Sequence, residues 1–234
     1  MNTLLQVTHL QAAYGQSRVL HGVNLSVNAG EVVCLLGRNG SGRSTLLRSL
    51  MGLVPAQGEM LWRGHNISPK RPFERAQQGL GYVPENREVF PSLTVAQNLL
   101  LGVKPGQRPG RWSQATLLDL FPRLKERLHT AAGHLSGGEQ QMLTLCRTMM
   151  GDPDLVLVDE PTEGLAPALV EQVARFITAL REQGVAVLLV EQKLTIALQV
   201  SSRCLVMGHG RIVFEGTPEQ LRGAVDVQQQ WLGV

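Results

Sequence analysis

The stretch VVCLLGRNGSGRST (Val32–Thr45) joins five apolar residues to a loop with three glycines and three hydroxyl side chains. A short, continuous apolar run is typical of a buried strand in a parallel sheet, and the following LLRSLMGL has a helical pattern. Strand, glycine-rich loop and helix in this order place backbone N–H groups and the positive end of a helix around one concavity. The stretch therefore predicts an α/β fold with a phosphate-binding loop.

The loop departs at one position from the pattern G-x-x-x-x-G-K-[ST], because Arg43 stands where lysine is usual. In that pattern Ser44 places its hydroxyl on Mg²⁺, and Thr45 touches a phosphate. A glycine-rich turn without a ligand is the alternative interpretation of this stretch alone. The residues that we expect to bind a nucleotide are Gly37, Asn39, Gly40, Ser41, Gly42, Arg43, Ser44 and Thr45.

Other segments extend the α/β pattern. Apolar runs at 155–158 and 185–190 indicate two more buried strands, and residues 170–184 between them have the apolar spacing of an amphipathic helix. This alternation favours a parallel sheet. The two ends of the chain have shorter β-like segments, and the middle, about 91–150, has mostly helical patterns.

An acidic motif, DLVLVDEPTEG (Asp154–Gly164), follows the helical middle. Its position at a strand tip suits Asp159 for holding a phosphate-bound Mg²⁺. Glu160, directly after it, can polarise an attacking water as a general base. A strand that merely ends in surface charge has the same pattern, but the phosphate loop upstream favours the catalytic interpretation.

The segment LSGGEQQMLTLCRTMM (Leu135–Met150) predicts a capped amphipathic helix, since Ser136 and Glu139 form an S-x-x-E capping box. Gly137 and Gly138 are poor helix formers at its first positions. They indicate that another group approaches the backbone closely there, and an anion at the helix N-terminus is the natural candidate.

Together these motifs resemble the nucleotide-binding subunit of an ABC transporter, and the resemblance covers essentially the whole chain. It implies a P-loop NTPase fold with a RecA-like parallel-sheet core. The core would comprise residues 1–84 and 151–234, including an N-terminal antiparallel β subdomain, and residues 85–150 would form an inserted, mostly helical subdomain.

The resemblance also implies a head-to-tail pair, with a second copy or with another ABC ATPase subunit. Each ATP would lie between the phosphate loop of one subunit and the signature motif of the other, which here comprises Ser136, Gly137, Gly138 and Glu139. Tyr14 holds the position of the aromatic residue that stacks on adenine. A half-buried strand tyrosine without a ligand is the alternative interpretation of Tyr14.

Three positions depart from the common ABC pattern. Glu85 replaces a glutamine that touches Mg²⁺, and a carboxylate can take over that role. Ala166 replaces an aspartate after the acidic motif. Gln192 replaces the switch histidine; it can donate a hydrogen bond to a γ-phosphate oxygen but cannot carry a proton.

These departures, with the segments VFPSLTV, EGLAP and LLVEQ, resemble one branch of the family. That branch powers bacterial importers of branched-chain amino acids and has relatives for urea and short amides, which remain an alternative. The resemblance implies two permease subunits as partners and, indirectly, a periplasmic solute-binding protein. We expect Phe90 and Leu93 to contact the permease.

The bulk properties agree with a cytosolic protein held at the inner face of the membrane by its permease. No apolar run reaches the about 18 residues needed to span a bilayer, and no signal peptide is evident. The net charge of +3 comes from scattered residues and does not indicate a nucleic-acid partner. Three distant cysteines without a CxxC pair do not indicate a zinc site.

Two other classes of function stay open. Soluble ABC ATPases of ribosomes or DNA usually carry tandem cassettes or long coiled coils, and this chain has neither pattern. A module that binds ATP without hydrolysing it is compatible with Arg43 and Gln192. Our hypothesis is that ATP binds and that Arg43 slows its hydrolysis, because a forked guanidinium in a loop suited to lysine displaces the γ-phosphate.

Overall fold

The strands of the chain form two sheets in the computed structural model, which describes residues 2–104, 106 and 110–233. In chain order the strands are β1 (Thr3–Tyr14), β2 (Ser17–Asn28), β3 (Val32–Leu36), β4 (Ala56–Trp62), β5 (His65–Asn66), β6 (Leu80–Val83), β7 (Leu155–Asp159), β8 (Ala186–Val190), β9 (Arg203–Gly208) and β10 (Arg211–Gly216). One sheet is antiparallel, in the order β2-β1-β4-β5. The other has the order β10-β9-β3-β8-β7-β6 and is parallel except where β10 pairs with β9.

Helices cover both faces of the parallel sheet and make up most of the segment between β6 and β7. Their bounds are α1 (Arg43–Met51), α2 (Pro72–Gln77), α3 (Val95–Leu100), α4 (Gln114–Leu120), α5 (Pro122–Glu126), α6 (Gly137–Met149), α7 (Pro167–Glu182), α8 (Leu194–Val200), α9 (Pro218–Gly223) and α10 (Val225–Val227), which continues as a π-helical turn over Gln228–Leu232. The parallel core, the N-terminal antiparallel sheet and the helical insertion are those that the sequence predicts.

The central strand β3 is shared by two hydrophobic cores, because successive side chains of a strand point to opposite faces. Val32, Cys34 and Leu36 pack with α6, α7 and the helical insertion. Val33 and Leu35 pack on the other face with α1 and the antiparallel sheet. All five side chains are fully buried, which explains why this strand reads as an unbroken apolar run rather than as an alternation.

The C-terminal turn lies against the phosphate loop. A guanidinium nitrogen of Arg38 donates to the carbonyl oxygen of Gln229 at 3.1 Å. The indole of Trp231 covers Gly208 and meets the His209 ring edge-on, with 5.4 Å between ring centroids. The last turn of the chain therefore contacts both the phosphate loop and the end of β9.

Parallel strands bring their carboxyl ends to one edge of the sheet, where ligands of such folds bind. The segments that follow β3, β7 and β8 carry the phosphate loop, Glu160 and Gln192 respectively, so the topology gathers the predicted site. Within the described part of the chain, no helix has the length and apolar character needed to cross a membrane.

Candidate nucleotide-binding site

The phosphate loop turns tightly between β3 and α1, and two of its glycines are required by sterics. A Cβ on Gly37 would lie 2.5 Å from the carbonyl oxygen of Met207, too close for any side chain. Gly42, the N-cap of α1, has φ 107°, which strains every residue except glycine. The loop therefore leads directly into the positive end of α1, as a phosphate site requires.

A cavity of about 430 Å³ opens at this loop. It brings together the phosphate loop, Glu85, Glu160 and Gln192, which lie far apart in sequence. The residues that line it are Val19, Asn39, Gly40, Ser41, Gly42, Arg43, Ser44, Thr45, Glu85, Glu160, Glu163 and Gln192. Tyr14 is not among them; it ends β1 with 48% of its side chain exposed.

Asp159 lies directly beneath the loop, fully buried at the end of β7. The Ser44 hydroxyl donates to its Oδ1 at 3.1 Å, while Oδ2 has no hydrogen-bond partner. Burial raises the pKa of this carboxyl to about 6, against the opposing effect of the Ser44 hydrogen bond. A buried carboxylate with a free oxygen needs a cation or a donor nearby.

These oxygen donors fit Mg²⁺, which proteins commonly bind through one or two carboxylates together with substrate phosphates. Ser44 and Asp159 would hold the ion, and Glu85 lines the same cavity. The described residues contain no group of three or more His, Cys, Asp or Glu side chains able to bind a metal by themselves. A site completed by phosphate oxygens is therefore the arrangement that this donor set supports.

Arg43 is almost fully buried, with 4% exposure, and its guanidinium contacts three segments of the site. One nitrogen donates to Glu160 Oε1 at 2.7 Å and lies 3.2 Å from Asn39 Oδ1, and the other donates to the Glu191 carbonyl oxygen at 2.8 Å. Gln192 Nε2 donates to the second oxygen of Glu160. The two carboxylate oxygens of Glu160 are thus both engaged by residues of the chain itself.

Glu160 has an unusual backbone as well. Its φ of 45° lies in the left-handed region, which is uncommon for a residue with a side chain, and its N–H donates to the Val190 carbonyl oxygen. Burial raises the pKa of its carboxyl, while Arg43 and Gln192 oppose the rise. The strained turn fixes this carboxylate at the sheet edge, between the phosphate loop and the segment after β8.

The signature segment lies outside this cavity. Ser136 is exposed and caps α6 as the sequence predicts: its hydroxyl accepts from the Glu139 N–H, and Glu139 accepts from the Ser136 N–H. The space that a Cβ would fill on Gly137 holds the Arg87 guanidinium, and that on Gly138 holds Leu169. The close approach that the glycines indicate is therefore made, within the chain, by two of its own side chains.

The sequence model of the family described as ABC transporter matches residues 20–163. The chain belongs to the ABC transporter family. This membership confirms three predictions from the sequence: the resemblance to a nucleotide-binding subunit, the fold class and the ATPase activity.

Among curated relatives, the high-affinity branched-chain amino acid transport ATP-binding protein BraG of Pseudomonas aeruginosa is 40% identical, covering 98% of this chain and all of that protein. The lipopolysaccharide export system ATP-binding protein LptB of Haemophilus influenzae is 34% identical, covering 99% of this chain and 98% of that one. Among solved structures, the ADP conformation of the ATP-binding cassette MJ1267 of an ABC transporter superposes with a TM-score of 0.81 at 28% identity, covering 97% and 96% of the two chains.

The sequence did not indicate several residues of this site. Val19 and Glu163 line the cavity. The buried Glu191, in the segment after β8, accepts a hydrogen bond from Arg43 of the phosphate loop through its carbonyl oxygen. Burial raises the pKa of the Glu191 carboxyl. Its position at the end of the apolar run before Gln192 was a usable signal, since a charge ending a buried strand needs partners.

Proposed function

We propose that the chain is the ATP-hydrolysing subunit of a bacterial ABC importer for branched-chain amino acids. The observation that carries the activity is the single cavity that gathers the phosphate loop, Glu160 and Gln192 above the buried Asp159. The solute class rests on the similarity to BraG over nearly the whole chain. Importers of urea or short amides, and exporters such as that of LptB, are the competing assignments within the family.

The transport assignment is tested with the chain reconstituted in vesicles with its permease and solute-binding protein. Leucine-loaded binding protein should stimulate ATP hydrolysis and leucine uptake, and urea should do neither. Stimulation by urea, or by lipopolysaccharide without any binding protein, would replace our assignment with one of its competitors.

In the mechanism, loop N–H groups and the N-terminus of α1 bind the phosphates. Ser44 and Asp159 would hold Mg²⁺, which would supply positive charge to offset that of the phosphates. Glu160 polarises the attacking water, and burial raises the pKa of its carboxyl, which makes it a stronger base. Gln192, already hydrogen-bonded to Glu160, holds the water or a γ-phosphate oxygen in place.

Arg43 slows this reaction in our proposal. Its buried ion pair with Glu160 must open before the carboxylate can accept a proton, and separating buried charges is costly. The negative γ-phosphate supplies the competing partner that draws the guanidinium away. The same contact supports the other class of function, an ATP-binding module without hydrolysis, and release of phosphate from ATP by the complete transporter separates the two.

The proposal includes two kinds of protein partner. A second ABC ATPase subunit, identical or not, would complete the ATP site with its signature motif, and permease subunits would hold the pair at the inner face of the membrane. A groove of about 520 Å³ between the sheet edge at β6 and α6 suits a permease helix, since Phe90 and Leu101 line it and are about half exposed. Leu93 is partly buried and does not line this groove.

The permease contact is tested by Phe90→Asp, which places a charge in the groove. We expect loss of co-purification with the permease while the isolated subunit still binds ATP. Phe73→Asp is the matched control, because Phe73 is equally exposed, at 51%, and lies outside the groove. Co-purification retained by the Phe90 variant, or lost equally by the control, contradicts this docking site.

A further inference from the structure

Arg87 lies in the loop between β6 and α3, and its side chain reaches the signature segment. One guanidinium nitrogen fills the space over Gly137, the first residue of α6. The other lies 3.5 Å from the carbonyl oxygen of Glu163, in the segment after β7. Arg87 thus stands where the signature motif meets the turn that follows Glu160.

The charge of Arg87 is not balanced by an acidic partner within the described residues. The N-terminus of a helix is its positive end, so a cation beside Gly137 is unfavourably placed. In the described part of the chain Arg87 makes no ion pair, and its hydrogen bond to the Glu163 carbonyl oxygen is long. Glu139, the acid in the first turn of α6, is engaged by the Ser136 N–H and by Arg127, 3.4 Å away.

An anion between Arg87 and α6 would satisfy both positive groups at once. Phosphate suits this place, since guanidinium forks and helix N-terminal N–H groups are its usual protein donors. That phosphate does not come from the chain's own cavity, which Arg87 does not line. The approach is open from solvent, because Ser136 is exposed.

We propose that Arg87 is a further ATP-contacting residue: its guanidinium binds the γ-phosphate of the ATP held by the phosphate loop of the paired ABC ATPase subunit. This assignment rests on the head-to-tail pair of the proposed function and adds one charged group to the signature side of that site. The occupant is a nucleoside triphosphate; a diphosphate lacks the γ-phosphate that Arg87 reaches.

The first test measures the ATP concentration that gives half-maximal dimer by sedimentation, in a Glu160→Gln background that retains ATP. Arg87→Met keeps the apolar stem over Gly137 and removes the charge, and we expect it to raise that concentration about ten- to hundredfold. Arg87→Lys should restore most of the loss. If Arg87→Met dimerises like its parent, the residue only packs and the proposal is wrong.

The second test asks on which ATP Arg87 acts, using mixed pairs in which Gly42→Asp blocks one phosphate loop. Arg87→Met on the blocked chain should weaken the pair, since that chain supplies the signature side of the live site. The same substitution on the live chain should leave it intact, and the reverse pattern overturns the assignment. If the Glu160→Gln chain stays monomeric at saturating ATP, the head-to-tail pair itself is wrong, and so is the role of Arg87 that depends on it.

Discussion

Two arginines lie beside the candidate catalytic residues, and they differ in how completely the chain supplies them with hydrogen-bond and ion-pair partners. Arg43 in the phosphate loop is buried and bound to Asn39, Glu160 and the Glu191 carbonyl oxygen. Arg87 beside the signature is partly exposed, with one long contact to a carbonyl oxygen. The arginine of the phosphate loop is therefore fully paired within the chain, whereas the arginine beside the signature motif has no acidic partner among the described residues.

Under the proposed function, the triphosphate meets different surroundings in the two subunits. At the phosphate loop, it would displace Glu160 from Arg43. At the signature motif of the partner subunit, it would meet Arg87, which makes no ion pair within the described residues. We expect ATP binding at the phosphate loop to be limited by the rearrangement of Arg43. We expect contact of the ATP with the signature motif to be limited by encounter with the partner subunit.

The largest effect should come from removing the general base. Glu160→Gln should lower the rate of ATP hydrolysis by about a hundredfold or more, because a positioned base typically contributes that much. ATP binding should persist, since Arg43 is then free of its ion pair. Phosphate release and nucleotide binding are measured side by side.

Glu163→Gln is the matched control for this change, because Glu163 lines the same cavity without contacting Arg43. An equal loss of hydrolysis in both variants would show that cavity charge, rather than proton abstraction by Glu160, controls the rate.

The next largest effect on the rate of ATP hydrolysis should come from Arg43→Lys. Lysine restores a compact point charge and weakens the ion pair with Glu160, so hydrolysis should rise about ten- to hundredfold. Arg38→Lys serves as control, because Arg38 lies in the same loop but binds the C-terminal turn. Steady-state rates of Arg43→Lys within a factor of two of the original chain would refute the slowing hypothesis.

A smaller effect concerns the stability of the nucleotide-free chain. Burial raises the pKa of Asp159 from 3.8 to about 6, so the folded state loses stability as pH rises through 6 and this carboxyl ionises. Asp159→Asn removes that cost and should raise the free energy of unfolding by about 3 kcal/mol at pH 8. At pH 5 the gain should be about half as large, because the carboxyl is then protonated in the folded chain but still ionised in the unfolded one, and the gain should vanish only below about pH 4.

The measurement is thermal unfolding at both pH values, where about 3 kcal/mol corresponds to roughly 6–12 °C in a chain of this size. Asp119→Asn is the control, because Asp119 is 66% exposed. A gain for Asp159→Asn that is the same at pH 5 and pH 8 would exclude ionisation as its cause.

The smallest effect should follow Gly137→Ala. The added methyl group meets only the end of the flexible Arg87 side chain, and alanine favours the helix by about 1 kcal/mol. Unfolding in urea should therefore change by less than about 1 kcal/mol. ATP-dependent dimerisation should weaken nonetheless, because Arg87 is displaced; unchanged dimerisation would argue that the exact place of this guanidinium is unimportant.

The phosphate loop, the acidic motif and the edge where they meet could be predicted from sequence, because each is local and parallel strands fix their common direction. The partners of Arg43 could not be predicted, since the contacts of a long side chain depend on tertiary packing. Arg87 stayed unnoticed for the same reason: 50 residues separate it from Gly137, and no spacing rule links a loop arginine to a distant helix. The roles of Tyr14 and the signature residues remain predictions from resemblance.

The C-terminal turn offers a consequence for experiment. Trp62 and Trp112 are buried at 4% and 5% exposure, whereas Trp231 is partly exposed and borders a cavity with Arg38, Asn39, Gly40 and Ser41. The chain thus carries an intrinsic fluorophore at the phosphate loop. Its emission can follow nucleotide entry in real time without a label, and Trp231→Phe identifies its share of the signal.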